Sequence, residues 1–131
     1  MKLPLFLGLV ATILPSSLKA EGLDYDRLLA CIAQQENGDP KKPGGLWNIG
    51  YSAWEKVAPD IPYHMSANEA ICVEVCKKHL DWLSKELLKV GCRVNAQTIG
   101  TCWLKGFTGA RRVKFVSEYG KRVSNLYHDP T

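Results

Sequence analysis

Apolar residues recur at three- and four-residue steps through most of the chain, which is the spacing of one face of a helix. The pattern predicts helices over residues 25–35, 52–57, 66–90, 98–105 and 112–127. No run shows the strict alternation of apolar and polar residues that is typical of a half-buried strand. The sequence therefore predicts an all-α fold, or a mainly α fold with a small irregular β element near residues 46–51.

The longest of these helices is expected to be central to the fold. Its predicted start, Ser66-Ala-Asn-Glu69, has the form of a capping box, in which two side chains satisfy free backbone N–H groups. Gly91 stands where a C-terminal cap is expected. The apolar face between them is formed by Cys72, Cys76, Leu80, Leu83, Leu87 and Val90.

Residues 1–20 have the three parts of a secretory signal peptide: Lys2, an apolar run over residues 3–14, and a polar segment that ends in Ala20. A run of about a dozen residues is shorter than the roughly 20 that a membrane span needs. An N-terminal anchor or a core helix is the alternative, but Lys19-Ala20-Glu21 favours cleavage. We therefore expect residues 21–131 to form one exported domain, periplasmic or extracellular, that is monomeric and not inserted in the membrane.

The charge balance is mild, with 17 basic and 13 acidic residues and a formal net charge of +4. Removal of Lys2 and Lys19 leaves 15 − 13 = +2, which gives nucleic-acid binding no support. The C-terminal third is more basic, and this face fits either an anionic polymer such as a bacterial wall or an ordinary solvated helix face. Its basic residues are Lys105, Arg111, Arg112, Lys114, Lys121 and Arg122, against Glu118 and Asp129.

The chain contains five cysteines, Cys31, Cys72, Cys76, Cys92 and Cys102. In an oxidising compartment some should be bridged, and the odd number leaves at least one unpaired. Cys72 and Cys76 are not expected to bridge each other, because their Cβ vectors run parallel one turn apart on a helix. The alternative for two or three of the five is a buried free thiol that packs as a small apolar residue.

Glu36 stands out by its position. It ends an apolar-faced helix and is followed at once by Asn37-Gly38 and a glycine-rich loop. A carboxylic acid whose surroundings are partly apolar holds its proton nearer to neutral pH, as a general acid that acts on a glycosidic oxygen must. The alternative is an ordinary exposed glutamate at a helix end.

Aromatic residues are frequent in the chain after Glu36. In a cleft they would stack on sugar rings, whereas in a chain of this size most of them must belong to the core. They are Trp47, Tyr51, Trp54, Tyr63, Trp82, Trp103 and Tyr119.

Four short motifs in order resemble the catalytic region of the lysozyme-like lytic transglycosylases, the soluble and goose-lysozyme-related group. Glu36-Asn-Gly38 resembles that family's Glu-Ser-Gly, and Gly45-Leu-Trp-Asn-Ile49 its Gly-Leu-Met-Gln-Ile. After a long helix, Cys102-Trp-Leu-Lys-Gly106 stands in the place of Ala-Tyr-Asn-x-Gly. Tyr119-Gly-Lys-Arg-Val123 follows in the place of Tyr-Val-x-x-Val. The resemblance spans nearly all of residues 21–131.

The resemblance implies a compact lysozyme-like domain that cleaves the β-1,4 bond of peptidoglycan between N-acetylmuramic acid and N-acetylglucosamine. By it, Glu36 is the single catalytic acid and then base, and Tyr119 lies beside the acid or the sugar. No cofactor or metal is implied. The segments that would bind the glycan strand supply Trp47, Asn48, Ile49, Tyr51 and Trp103.

The chain departs from the family pattern at three places: Asn37 replaces serine, Asn48 replaces glutamine, and Trp103-Leu104 replaces Tyr-Asn. With one carboxylate, the substrate's own hydroxyl or N-acetyl group can complete the displacement and leave an anhydro-sugar. Hydrolysis would need a water held by a second carboxylate. Asp39 and Asp60 are the nearby carboxylates, and both are more simply read as turn residues beside prolines. The sequence therefore favours lytic cleavage.

Three other functions compete with this interpretation. A cysteine peptidase or amidase would pair Cys31 with His64 or His79, although Cys31 lies within an apolar helix face rather than at a helix N-terminus. A metal site would use Cys72, Cys76 and His79, although the same residues are explained as helix core. The third is a non-catalytic wall-binding protein on the lysozyme-like scaffold.

Overall fold

The computed structural model describes residues 22–129; the predicted signal peptide, residues 1–20, lies outside this range. Within residues 22–129 there are five α-helices: α1 (Tyr25–Glu36), α2 (Tyr51–Val57), α3 (Glu69–Lys89), α4 (Ala96–Arg112) and α5 (Glu118–His128). Two short 3-10 helices, Gly45–Trp47 and Tyr63–Ala67, lie on either side of α2. Residues 22–129 contain no strand, so the all-α prediction is confirmed. The segment near residues 46–51, expected as an irregular β element, instead contains the end of the first 3-10 helix, an irregular turn and the start of α2.

Helix α1 forms where the spacing predicted it, one residue longer at its C-terminus. The Asp24 side chain accepts a hydrogen bond from the Arg27 N–H at 3.1 Å, which caps the first turn. Asn37 ends the helix in the left-handed region with φ = 52°, and its N–H donates to the Ala33 carbonyl at 2.8 Å. The face of α1 that carries Leu28, Leu29 and Ile32 is buried.

Helix α3 is the long central helix, but the predicted capping box at Ser66 was wrong. The cap is Asn68, whose side chain accepts from the Ile71 N–H at 3.1 Å. Ser66 is fully buried in the second 3-10 helix, where its hydroxyl accepts from the Gly44 N–H and donates to the Tyr63 carbonyl, each at 2.7 Å. At the other end Gly91 has φ = 73°, in agreement with the predicted cap.

Helix α4 contains a kink at Gly106, whose φ of 75° is not helical, so its first part ends where the sequence predicted. The predicted start of the last helix at residue 112 was wrong. Helix α5 begins after Ser117, whose side chain accepts from the Gly120 N–H at 2.9 Å. Lys114 and Phe115 have φ values of 58° and 62°, which separates α4 from α5.

The core lies where α3, α4 and α5 pack around α1 and the two 3-10 helices. Helices α4 and α5 approach closely at two glycines. A Cβ atom on Gly100 would lie 3.1 Å from the Val123 Cβ, and one on Gly120 would overlap the Thr101 hydroxyl. Helix α5 also packs against α1, which brings Tyr119 near Glu36. No helix within residues 22–129 is long and apolar enough to cross a membrane.

Candidate active site

Glu36 is the last residue of α1 and lies at the surface between α1, α5 and the loop that leads into α2. It is half-buried. Its position follows from the sequence, because the apolar face of α1 ends one turn earlier and Asn37 turns the chain away immediately after it. The carboxylate is therefore held on a rigid helix with one side open to solvent.

The Tyr119 hydroxyl donates a hydrogen bond to the Glu36 Oε2 at 2.6 Å, across 83 positions of sequence. Tyr119 lies in the first turn of α5 and is 6 % exposed. Its burial and its hydrogen bond to Glu36 both raise the pKa of Tyr119, and the burial has the larger effect. Tyr119 therefore remains a neutral hydrogen-bond donor throughout the physiological pH range.

Asn48 supplies the second hydrogen bond to the acid. Its Nδ2 donates to the Glu36 Oε1 at 3.0 Å and also lies 3.4 Å from the Glu36 backbone carbonyl. The residue has φ = 49°, a left-handed conformation that asparagine tolerates better than most residues. Unlike Tyr119, Asn48 is exposed.

The loop that carries Asn48 is held against the end of α1 by close backbone contact at Gly38. The Gly38 N–H donates to the Leu46 carbonyl at 3.2 Å. A Cβ atom at position 38 would overlap the Gly45 carbonyl oxygen and lie 2.8 Å from the Leu46 carbonyl oxygen. Only glycine allows this approach, so Gly38 is a positioning residue within the Glu36-Asn-Gly38 motif, and the sequence alone did not indicate this role.

A further polar contact lies next to the acid. The Arg122 Nε donates to the Gln35 Oε1 at 2.9 Å and joins the end of α1 to α5. In the sequence, Arg122 stood out only as a member of the basic C-terminal third. Its spacing of three residues from Tyr119 on a helix, which puts both on one face, was the signal that would have found it.

The other predicted binding residues divide into two groups. Tyr51 is 59 % exposed, and Trp103 is half-buried. Trp47 and Ile49 are 5 % and 2 % exposed, so their side chains belong to the core. The Trp47 indole N–H donates to the Leu29 carbonyl at 3.0 Å. Any contact that Trp47 or Ile49 makes with a ligand would be through the backbone, because their side chains are packed inside.

Trp103 lies between the Asn48 loop and a group of aromatic rings that includes the buried His79. Its indole N–H donates to the Trp47 carbonyl at 2.9 Å, next to Asn48, and its ring lies 5.3 Å from the His79 ring. His79 also stacks on Trp82 at 6.0 Å. We call the three rings of His79, Trp82 and Trp103 the His79 cluster. The His79 Nδ1 is buried without a hydrogen-bond partner.

All five cysteines carry free thiols in the structure, and the disulfides expected in an oxidising compartment stay a prediction. The Sγ atoms of Cys72 and Cys76 lie 4.0 Å apart. Burial raises the pKa of the Cys31 thiol, which is the reverse of what a nucleophilic cysteine needs. No hydrogen bond joins Cys31 to His64 or His79 within the described part of the chain.

The possible metal site does not assemble in the structure. His79 lies among the rings of its cluster, whereas the Cys72 thiol points to the Gly44 carbonyl at 3.8 Å. Between residues 22 and 129, no three histidine, cysteine, aspartate or glutamate side chains are grouped as metal ligands would be.

Comparisons of this chain with protein-family models, with curated proteins and with solved structures find no match. Only the residues and the geometry around Glu36 therefore bear on the function of this chain.

Proposed function

We propose that residues 21–131 form an exported domain that cleaves the β-1,4 bond of peptidoglycan between N-acetylmuramic acid and N-acetylglucosamine. The observation that carries the proposal is the pairing of Glu36 with Tyr119 at 2.6 Å and with Asn48 at 3.0 Å. Three of the motifs that resemble the lytic transglycosylases supply these three residues, and the fold brings them to one point. These two partners come from distant parts of the chain and hold the Glu36 carboxylate in one orientation, as a general acid and base requires.

Both oxygens of Glu36 accept hydrogen bonds, which is the arrangement of the ionised carboxylate and so of the general base. To act first as an acid, Glu36 must carry a proton on one oxygen. Tyr119 is buried and fixed, whereas Asn48 is exposed. We therefore assign the transferable proton to Oε1, the oxygen whose hydrogen-bond partner is the exposed one.

The reaction then needs one carboxylate. Glu36 gives its proton to the glycosidic oxygen as the bond from that oxygen to C1 of the muramic acid breaks. The C6 hydroxyl of the same sugar attacks C1, and Glu36 takes the proton that this hydroxyl loses, so the products are an anhydro-sugar and a new sugar hydroxyl. Asp39 serves as a turn residue, since its Oδ1 accepts from the Lys41 N–H at 2.9 Å. Within the described residues neither Asp39 nor Asp60 is hydrogen-bonded to Glu36, and we therefore favour lytic cleavage over hydrolysis.

The test is a digest of purified peptidoglycan with the unaltered protein and with Glu36→Gln, followed by mass spectrometry. Loss of a general acid and base should lower the cleavage rate about 1000-fold. Glu55→Gln, the same change at an exposed position on α2, should keep full activity. Anhydro ends would identify lytic cleavage, and reducing ends would identify hydrolysis.

Two results would contradict the proposal. If Glu36→Gln cleaves as fast as the unaltered protein, Glu36 is not the acid. If neither protein cleaves peptidoglycan but both sediment with it, the domain is a wall-binding protein, the alternative function that the sequence left open.

A further inference from the structure

The turn between α4 and α5 exposes apolar side chains that the core does not use. Five large apolar side chains are exposed within residues 22–129, and three of them belong to residues 104–116, which we call the basic corner. Leu104 is 50 % exposed, Val113 40 % and Val116 47 %. The corner is therefore the main apolar feature of the described surface.

The exposure of these residues is not caused by poor packing of the turn. Phe115, between the exposed Lys114 and Val116, is only 7 % exposed, and its ring lies 5.5 Å from the ring of Phe107. Phe107 in turn lies 6.4 Å from Trp82 on α3. The turn is thus anchored by one buried ring, while its neighbours in sequence stay outside.

The same corner is densely cationic. Lys105, Arg111, Arg112 and Lys114 are all exposed, and none of them forms an ion pair with another residue of the described chain. Residues 87–117 contain six basic residues and no aspartate or glutamate. By contrast, the exposed lysines Lys85 and Lys89 on α3 are paired with Asp81 and Glu86.

The parts of the corner are close together. The helical segment after Gly106 has six residues and so is about 9 Å long. The Phe107–Phe115 contact brings the turn that follows Arg112 back toward the start of this segment. Apolar and cationic side chains are therefore mixed within a patch, not placed on separate faces of the molecule.

We propose that the basic corner is a docking surface for a bilayer that contains anionic phospholipids. Such a surface offers negative headgroups for the four cations and an apolar boundary into which Leu104, Val113 and Val116 can insert. A soluble polyanion would satisfy the cations alone and leave the three apolar side chains in water. The presence of apolar and cationic side chains in one patch therefore favours a lipid surface over a soluble polyanion.

Docking at this corner would involve a residue adjacent to Trp103, one of the predicted glycan-binding residues. Leu104 follows Trp103, which is hydrogen-bonded to the Trp47 carbonyl beside Asn48. The binding itself does not depend on the proposed cleavage reaction. It can be measured with no substrate present, so failure of one proposal leaves the other standing.

The experiment is co-sedimentation with vesicles of phosphatidylcholine, either pure or with one third phosphatidylglycerol. The test protein is the chain from Glu21 to Thr131, because residues 3–14 would themselves partition into lipid. This chain keeps the hydrophobic core, whose members run from Leu23 to Tyr127. We expect binding to the anionic vesicles at 0.1 M salt at least tenfold tighter than to the neutral ones.

Two pairs of substitutions separate the apolar from the ionic contribution. Leu104→Ser with Val116→Ser, and Lys105→Gln with Arg112→Gln, should each weaken binding to the anionic vesicles about tenfold. The control Val90→Ser removes an exposed valine at the C-terminal end of α3, outside the basic corner, and should bind as the unaltered protein does. Because all these side chains are exposed, circular dichroism should show unchanged helix content for each variant.

Two outcomes would overturn the proposal. Equal binding to neutral and anionic vesicles would exclude recognition of anionic lipid. If the Leu104→Ser and Val116→Ser pair binds anionic vesicles normally while a soluble polyanion displaces the protein, the corner binds polyanions through charge alone.

Discussion

Glu36 and His79 are two titratable side chains that the same fold holds by opposite means. Glu36 is half-buried and both of its oxygens accept hydrogen bonds. His79 is only 9 % exposed, and its Nδ1 has no partner. Trp103 touches both regions, since it bonds to the Trp47 carbonyl on one side and packs against His79 on the other.

The difference separates a hydrogen-bonded carboxylate near the surface from an imidazole that packs among aromatic rings. The hydrogen bonds of Glu36 orient a carboxylate that can still exchange a proton with a ligand. Burial, and to a smaller extent the charge of Lys56, lowers the pKa of His79 to about 4, so this imidazole is neutral at pH 7. His79 therefore packs in the aromatic cluster and makes the stability of the fold depend on pH. Glu36 is the residue proposed for catalysis.

The largest effect should follow from Gly38→Ala, which tests whether the Glu36 region depends on close backbone contact. The new methyl group would occupy the space of the Gly45 and Leu46 carbonyl oxygens and push the Asn48 loop away from Glu36. We expect the free energy of unfolding to fall by about 4 kcal/mol, measured by urea denaturation.

Gly50→Ala is the matched control, because it makes the same change farther along the same loop. A Cβ atom on Gly50 meets nothing within 4 Å, and its φ of −79° suits alanine. The free energy of unfolding of the Gly50→Ala variant should stay within about 0.5 kcal/mol of that of the unaltered protein. Equal stability of the two variants would show that the loop does not rest on the end of α1 as described.

The His79 cluster should make stability depend on pH. The unfolded chain binds a proton at His79 with the ordinary pKa of 6.5, whereas the folded domain does so only near 4. Between these values the unfolded state holds more protons, so falling pH favours unfolding. This contribution, about 3 kcal/mol, is fully present above pH 6.5 and is lost as the pH falls to 4.

Urea denaturation between pH 7 and pH 4 measures this slope, and His79→Gln should flatten it. His64→Gln makes the same change at an exposed histidine of the second 3-10 helix and should leave the slope as it is. A slope that survives in His79→Gln would assign the acid sensitivity to other groups.

The smallest effect should come from Tyr119→Phe, which removes one hydrogen bond from Glu36. We expect peptidoglycan cleavage to fall about tenfold, equivalent to about 1.4 kcal/mol. Tyr127→Phe is the matched control on the same helix. That side chain is 8 % exposed, and its hydroxyl accepts from the Asp24 N–H at 2.8 Å, far from the acid in sequence. If both variants lose activity equally, the loss reflects stability and not the contact with Glu36.

The sequence predicted the helices well but placed two of their starts incorrectly, for physical reasons that periodicity does not contain. Ser66 and Asn68 are both good caps, and only the burial of Ser66 under Gly44 decides between them. Val113 and Val116 continue the helical spacing of α5, yet Lys114 and Phe115 adopt left-handed conformations because Phe115 turns into the core. In both cases, contacts with residues far away in the sequence determine where the helix begins.

The residues of the candidate site likewise fall into those that the sequence predicted and those whose role depends on packing. The order of motifs was sufficient to select Glu36, Tyr119 and Asn48, which the fold brings together. It could not show that the side chains of Trp47 and Ile49 are buried, since an aromatic or aliphatic residue beside a loop suits a cleft and a core equally. The role of Gly38 depends on a carbonyl oxygen of another segment, and no local pattern records that contact.

The distance along the chain between Glu36 and Tyr119 has a consequence for synthesis. The acid is near the start of the domain, and its tyrosine partner follows 83 positions later, on the last helix. A growing chain that has emerged only as far as α4 carries Glu36 but no partner for its Oε2, so the pair cannot form before α5 is made and packed. An incompletely made domain therefore carries no finished site, and premature termination anywhere before α5 yields a product without the Glu36–Tyr119 pair.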